Sequence, residues 1–242
     1  MTKICVLIPV HNEANTIGAV VRAIRAEGLD VVVVNDGSTD NSEAIAKEKG
    51  AFVMRHDAKS GKGSSLRRGF AHILKQDYGA VITMDGDGQH DVGDIHRFLE
   101  LAQTHRPAII VGNRMDDPQG MPWARYLTNR FMSFLISLIC RQDVPDTQCG
   151  YRYMDCHLLR ELSLSCDDFE IETEMLMKAA KKGFPVYSVP IRTIYRDEES
   201  KIHPWKDTLR FIVYFLKEIT SPHNGPKRKV FSTTDGHKEY RK

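Results

Sequence analysis

The sequence predicts an α/β fold: an open, mainly parallel sheet flanked by helices, followed by a more helical C-terminal part. Three observations predict it. Short β-branched runs alternate with helical patterns through the first half of the chain, the signature of βαβ units. The runs Ile4–Val10 and Val31–Asn35 are nearly continuously hydrophobic, as strands covered on both faces are. Beyond about residue 120 the apolar spacing becomes mostly helical.

Taken in order, the strands are expected at Ile4–Val10, Val31–Asn35, Ala51–Arg55, Ala80–Met84 and Ala108–Val111, with a later one at Pro185–Ile191. Helices are expected between them at Ala14–Glu27, Asn41–Lys49, Ser64–Gln76 and Val92–Thr104. Four more follow at Trp123–Cys140, Asp155–Glu161, Glu170–Lys182 and Trp205–Thr220. A length of 242 residues allows one full domain and a small appendage, since domains run to about 100–200 residues. We assign residues 1–220 to that domain and residues 221–242 to a basic, flexible tail.

Composition excludes several classes. Hydrophobic residues make up 41% of the chain and charged ones 27%, which rules out wholesale disorder and a collagen-like fibre. The longest nearly apolar run, Phe131–Cys140, spans ten residues and contains two serines. That is far short of the ~20 residues needed to cross a bilayer. Residues 1–5 lack the pattern of a secretory leader, so neither a secreted nor a membrane-spanning protein is expected. The net charge of +2 is uneven, because the tail holds six Lys and Arg against two acids. Such a tail suits a nucleic-acid arm, a tether to anionic lipid or a solvated end. No nucleic-acid-binding module is recognisable elsewhere, and nucleic acid is not an expected partner. Five widely spaced cysteines with no Cys-x-x-Cys pair read as reduced thiols of a cytoplasmic protein.

In open α/β sheets, ligands bind beyond the carboxyl ends of the strands. Here those positions are polar: His11-Asn12-Glu13 after strand one, Asn35–Asp40 after strand two, Asp85–His90 after strand four, and Gly112-Asn113-Arg114 after strand five. Individual residues have plain structural uses. Asn12 suits a cap for the first helix, and Asp40 with Glu43 suits a capping box. The Asp85-Gly86-Asp87 pair is the most specific, because two carboxylates one residue apart suit a hard divalent cation that keeps positions open for phosphates. Gln89 adds a carbonyl oxygen. An EF-hand is excluded, since His90 and His96 stand where that loop needs Gly and Glu. Gly61-Lys62-Gly63-Ser64 lacks the first glycine of a Walker loop, and no Gly-x-Gly-x-x-Gly follows strand one. Lys62 and the helix start beside it still suit an anion.

Together these segments resemble the inverting glycosyltransferases of family two, which have the Rossmann-like GT-A fold. The resemblance rests on Pro9-Val10-His11-Asn12-Glu13, Asn35–Asp40, Gly61-Lys62-Gly63 and Asp85–His90. Further on, Asp146–Arg152 and Glu199-Ser200-Lys201 are similar to the dolichyl- or polyprenyl-phosphate sugar synthase branch, so the likeness covers about residues 4–202. It implies a nucleotide-sugar donor and Mg²⁺ or Mn²⁺. Pro9, Val10, His11, Glu13 and Asp36 would hold the nucleoside, with Lys62 and Asp85 also on the nucleotide. Asp85, Asp87 and Gln89 would hold the cation, and Arg114 matches a phosphate-binding arginine of the family. Arg125 and Arg196 match arginines that face a lipid-phosphate acceptor, with Ser200 in the same loop. His11 stands where Tyr or Phe is more usual, and the acceptor loop carries the acidic run Asp197-Glu198-Glu199.

The choice of acceptor follows from proton chemistry. A phosphate is largely ionised at neutral pH and needs cationic groups to position it, which arginines supply bidentately. A hydroxyl must lose a proton, and Asp146 is the candidate base for that case. The rival use for Asp146 is to tie down Arg152. The expected reaction is transfer to a lipid-linked phosphate, with Asp87, Arg114 and Asp146 in the catalytic group. The alternatives are a hydroxyl acceptor on a lipid or polysaccharide, or a nucleotide-sugar-binding protein without catalysis. Helices Trp123–Cys140 and Trp205–Ile219 mix apolar and basic residues, a pattern suited to core, to a contact within a homo-oligomer, or to a lipid interface. The first two readings carry more weight. Any membrane attachment is expected to be peripheral, at the cytoplasmic face, or through a partner protein.

Overall fold

A computed structural model describes residues 2–105, 107–118 and 120–194. The expected helix Trp205–Thr220, the tail 221–242, Arg196 and Ser200 lie outside the described residues. Strands β1 (Ile4–Val10), β2 (Asp30–Asp36), β3 (Phe52–His56) and β4 (Ala80–Thr83) alternate with helices α1 (Ile17–Ala26), α2 (Ser42–Glu48) and α3 (Lys62–Ile73). A 3₁₀ turn and α4 (Ile95–His105) lead to β5 (Ile109–Asn113), and α5 (Trp123–Cys140) follows. The described part ends with β6 (Arg152–Asp155), α6 (Cys156–Glu161), α7 (Glu170–Lys181) and β7 (Val186–Pro190). The seven strands form one sheet in the order β3-β2-β1-β4-β6-β5-β7.

The sheet's centre is dry because its strands are apolar on both faces. Cys5–Ile8 of β1 and Val31–Val34 of β2 are all buried, while α1 contributes Ile17, Val20, Val21 and Ile24 at helical spacing. The parallel register sets Val10 beside Asn35, and Leu7 beside Thr83. The ends of β1, β2 and β4 therefore open on one edge.

One strand differs from the expectation. Arg152–Asp155 is antiparallel to both β4 and β5, pairing Arg152 with Thr83 and with Val111. It has only four residues, charged at both ends, so its own pattern is too short to register as a strand. Two neighbouring strands impose the conformation. The helix expected from Asp155 begins at Cys156, because Asp155 is its cap and accepts from His157 N at 2.6 Å. The first helix begins at Ile17, not Ala14. Asn12, at φ 56°, does not cap it: its Oδ1 accepts from Thr39 N at 2.9 Å. The expected Asp40–Glu43 capping box also gives way, since Asp40 accepts from Ser42 N and Ala14 N, both at 3.0 Å, and Glu43 pairs with Lys47. Helix α5 matches its expected span but is not a core element along its whole circumference. Asn129, Ser133, Ile136 and Cys140 are buried, whereas Trp123, Leu127, Phe131, Phe134 and Leu138 are exposed.

Candidate active site at the carboxyl edge of the sheet

Asp36, the last residue of β2, ties together three segments. Its carboxylate accepts from Ser60 N at 2.7 Å and Gly61 N at 3.0 Å, and its carbonyl accepts from His11 Nδ1 at 2.8 Å. Gly37 follows at φ 63°, and a Cβ there would lie 2.6 Å from the backbone of Ala58, so no other residue fits the turn. Asn12 N donates to Ser38 Oγ at 3.0 Å and Glu13 N to Ser42 Oγ at 2.7 Å, locking the ends of β1 and β2 together. Thr16 Oγ1 donates to the Gly86 carbonyl at 2.7 Å, which fastens the start of α1 to the turn after β4. The structure thus brings the nucleotide candidates Pro9, Val10, His11, Glu13 and Asp36 to one edge beside Lys62 and Asp85.

Lys62, at the start of α3, is the hub of a charged cluster. Its Nζ lies 2.6 Å from Asp85 Oδ1 and 2.7 Å from Glu172 Oε1, with the Phe169 ring centroid 5.6 Å away. His90 Nε2 stands 3.4 Å from the other oxygen of Asp85. With Leu66 and Met175, the Lys62, Asp85 and Glu172 side chains wall a crevice too narrow for a water molecule. Burial disfavours every charge here, yet the pairing prevails. Burial alone pushes the Asp85 carboxyl up, but Lys62 and His90 hold it far below the usual carboxylate range. Burial likewise lowers Lys62, and Asp85 with Glu172 raise it above an ordinary lysine. Gly150 lies against the cluster: a Cβ there would come 2.7 Å from Asp85 Oδ2 and 2.9 Å from Lys62 Nζ. Glu172 is absent from the sequence-based candidates, because it stands 110 positions from Lys62 on a helix that reads as ordinary amphipathic packing.

Asp87 completes the turn. Its Oδ1 accepts from Gln89 N at 2.9 Å. Burial and the neighbouring Asp85 charge raise its carboxyl above the ordinary value. Two carboxylates that repel each other in a partly desolvated turn are a donor set that a divalent cation would relieve. Among the described residues, no three His, Cys, Asp or Glu side chains converge as a metal-holding group. Asp85 and Asp87 therefore fit a cation of the kind that takes one or two protein carboxylates and completes its shell with phosphate oxygens and water.

On the other side of β4, Arg114 follows β5 and meets Asp146. The pair is buried and bidentate: Nε to Oδ2 at 2.6 Å and Nη2 to Oδ1 at 2.9 Å. Asp146 also accepts from Arg114 N at 3.2 Å and Gln148 N at 3.3 Å. Its partner is thus Arg114, not Arg152. Arg152 is wholly buried and donates to three carbonyls, those of Cys149 and Thr147 at 2.8 Å and that of Glu172 at 2.5 Å. It stitches the 147–150 segment to α7 without touching a carboxylate. Arg125 stands half-buried in the first turn of α5.

A mostly parallel seven-stranded sheet with a paired-acid turn at its carboxyl edge has the architecture of the GT-A fold. The comparisons agree. Residues 5–163 match Glycosyl transferase family 2, and the chain belongs to that family. It is 32% identical to Glycosyltransferase AglJ of Haloferax volcanii, over 84% of this chain and 68% of that one. It is 28% identical to the UDP-N-acetylglucosamine–dolichyl-phosphate N-acetylglucosaminyltransferase of Methanococcus voltae, over 80% and 86%. Among solved structures, the glucosyl-3-phosphoglycerate synthase of Mycobacterium tuberculosis with Mn²⁺, UDP and phosphoglyceric acid superposes at a TM-score of 0.70. That match covers 93% of this chain and 80% of the other at 18% identity, a likeness of fold.

Proposed function

We propose that the chain transfers a sugar, with inversion, from a nucleotide donor to the phosphate of a polyprenyl- or dolichyl-type lipid. The observation that carries this reading is the state of Asp146. It is the carboxylate suggested for deprotonating a hydroxyl acceptor, yet both its oxygens are engaged by Arg114. A phosphate acceptor needs no base, only a fixed cationic partner, and a buried bidentate clamp fixes the guanidinium beside it. Asp146 is then a positioning residue for Arg114. The name of the Methanococcus voltae relative, a dolichyl-phosphate sugar transferase, supports the same acceptor class.

The donor would enter at the β1–β2 edge, its nucleoside on Pro9–Glu13 and Asp36 and its diphosphate towards Asp85, Asp87 and Lys62. Asp85 and Asp87 would hold Mg²⁺ or Mn²⁺, with Gln89 beside them; when bound, such a cation neutralises charge on the departing diphosphate. An oxygen of the acceptor phosphate attacks the anomeric carbon as the bond to the nucleoside diphosphate breaks. An α-linked donor would yield a β-linked product. Arg125, Arg196 and Ser200 belong to the acceptor side of this reading.

The reading is tested by offering polyprenyl phosphate and the corresponding polyprenol in parallel, after a thermal-shift panel of UDP, GDP, CDP and dTDP sugars with Mn²⁺ has identified the donor. A donor at 100 times its dissociation constant adds about 2.7 kcal/mol, a readable shift. Sugar transfer to the phosphate alone is expected. Transfer to the alcohol alone would return Asp146 to the role of base and overturn the proposal.

A further inference from the structure

Helix α5 has two faces of opposite character. Inward, Ser133 Oγ accepts from Thr147 N at 2.9 Å, and Ser137 Oγ accepts from Val144 N at 3.0 Å. That face clamps the segment that carries Asp146. Outward, Trp123, Leu127, Phe131, Phe134 and Leu138 recur at spacings of four, four, three and four, between 49% and 70% exposed. These are five of the seven large exposed hydrophobics among the described residues. Scattered apolar side chains on a surface need no explanation, but a continuous stripe marks an interaction surface.

Charge identifies the partner. None of the 18 residues of α5 is acidic. Arg130 borders the stripe in helical projection, and Arg141 closes it in an exposed, left-handed C-cap. Self-pairing of this face about a two-fold axis would oppose arginine to arginine. An apolar stripe with a Trp at one end, edged by cations and free of acids, instead matches the headgroup region of an anionic bilayer. No helix among the described residues is long and apolar enough to cross a membrane, so this contact would lie in the plane of the surface.

We propose that the outer face of α5 docks on an anionic lipid surface, placing the membrane contact and the Asp146 segment on opposite sides of one helix. This deepens the lipid-acceptor reading and rests on it only for its purpose. The same helix that rides the headgroups would carry the Arg114 clamp to the depth at which a lipid-linked phosphate ends.

The test is co-sedimentation of the full chain with vesicles of phosphatidylcholine alone, or mixed with phosphatidylglycerol, without nucleotide or polyprenyl phosphate. Failure of the acceptor reading would leave this result untouched, because the vesicles contain no acceptor. The chain is expected to pellet with the mixed vesicles. Phe131→Ser/Phe134→Ser should lose at least about tenfold in partition, since two exposed rings no longer leave water. Arg130→Gln/Arg141→Gln should lose most of the preference for anionic over neutral vesicles. Unchanged far-UV circular dichroism and donor-induced thermal shift would show that both variants are folded. A wild-type chain that stays in the supernatant would overturn the proposal. So would a Phe131→Ser/Phe134→Ser variant that pellets like wild type, or one whose only change is loss of a dimer.

Discussion

In the half of the sheet made by β3, β2, β1 and β4, strands alternate with helices along the chain, and the candidate site residues sit directly at strand ends. In the half made by β6, β5 and β7, the order of the sheet departs from the order of the chain, and the site residues come from a loop and a helix. Bonds that knit the first region join neighbouring βα turns, such as Asp36 to Gly61, 25 positions apart. The charged contact between Lys62 and Glu172, which with the β4–β6 pairing joins the two regions, spans 110. On the proposed reading, the donor side is therefore assembled from local pattern, and the acceptor side from tertiary contact.

That difference decides what a single sequence discloses. Asp36, Asp85 and Asp87 stand out because a polar residue directly after a hydrophobic strand has few local explanations. The existence and parallel pairing of the first four strands follow from the βαβ pattern. Arg152–Asp155 does not stand out, since its strand character is lent by Thr83 and Val111 on either side. Glu172 is hidden for a related reason. On α7, Ile171, Met175 and Leu176 mark the buried stripe, and nothing in that spacing says that a buried acid beside them meets a lysine from α3. The sequence-based partner of Asp146, Arg152, gives way to Arg114 for the same reason, because the end of β5 brings Arg114 within reach.

The largest expected effect tests the contact between the two regions. Lys62→Met leaves Asp85 and Glu172 facing each other in a crevice without their shared cation. Removing one partner of a buried charge cluster costs about 3–5 kcal/mol, which urea denaturation of the metal-free protein would measure. A loss below about 1 kcal/mol, typical of exposed pairs, would mean that the cluster is solvated and that the halves are not joined there.

Next in size is a change confined to the donor side. Asp87→Asn removes the charge of one of the two paired acids in a half-buried turn and keeps the side chain's shape, so folding should be preserved. Turnover should fall by roughly 10²–10³-fold, the scale of losing one charge-stabilising group from an active site. Near-normal activity over a Mn²⁺ titration would remove Asp87 from the metal site and leave the donor region as a binding surface only.

The smallest effect separates two acids of α7, two residues apart on opposite sides of the helix. Glu172 turns to Lys62, while Glu174 accepts from Ser165 N at 2.9 Å, Cys166 N at 3.0 Å and Lys178 Nζ at 2.6 Å. Burial pushes the Glu174 carboxyl up, but Lys178, the Cys166 amide and the Ser165 hydroxyl outweigh it and hold it below the ordinary value. A carboxyl depressed by folding stabilises the native state above its unfolded pKa of about 4.3, and that contribution is lost as pH falls through the lower, folded value. Glu174→Gln should therefore cost about 1.5 kcal/mol at pH 7, the scale of hydrogen bonds to a charged group. The gap from wild type should narrow steadily below about pH 4. Donor affinity should not move, because Glu174 secures the 165–166 loop and not Lys62. A variant that lost donor binding in proportion to stability would mean that α7 transmits both acids to the site, and that the division between a donor half and an acceptor half stops short of this helix.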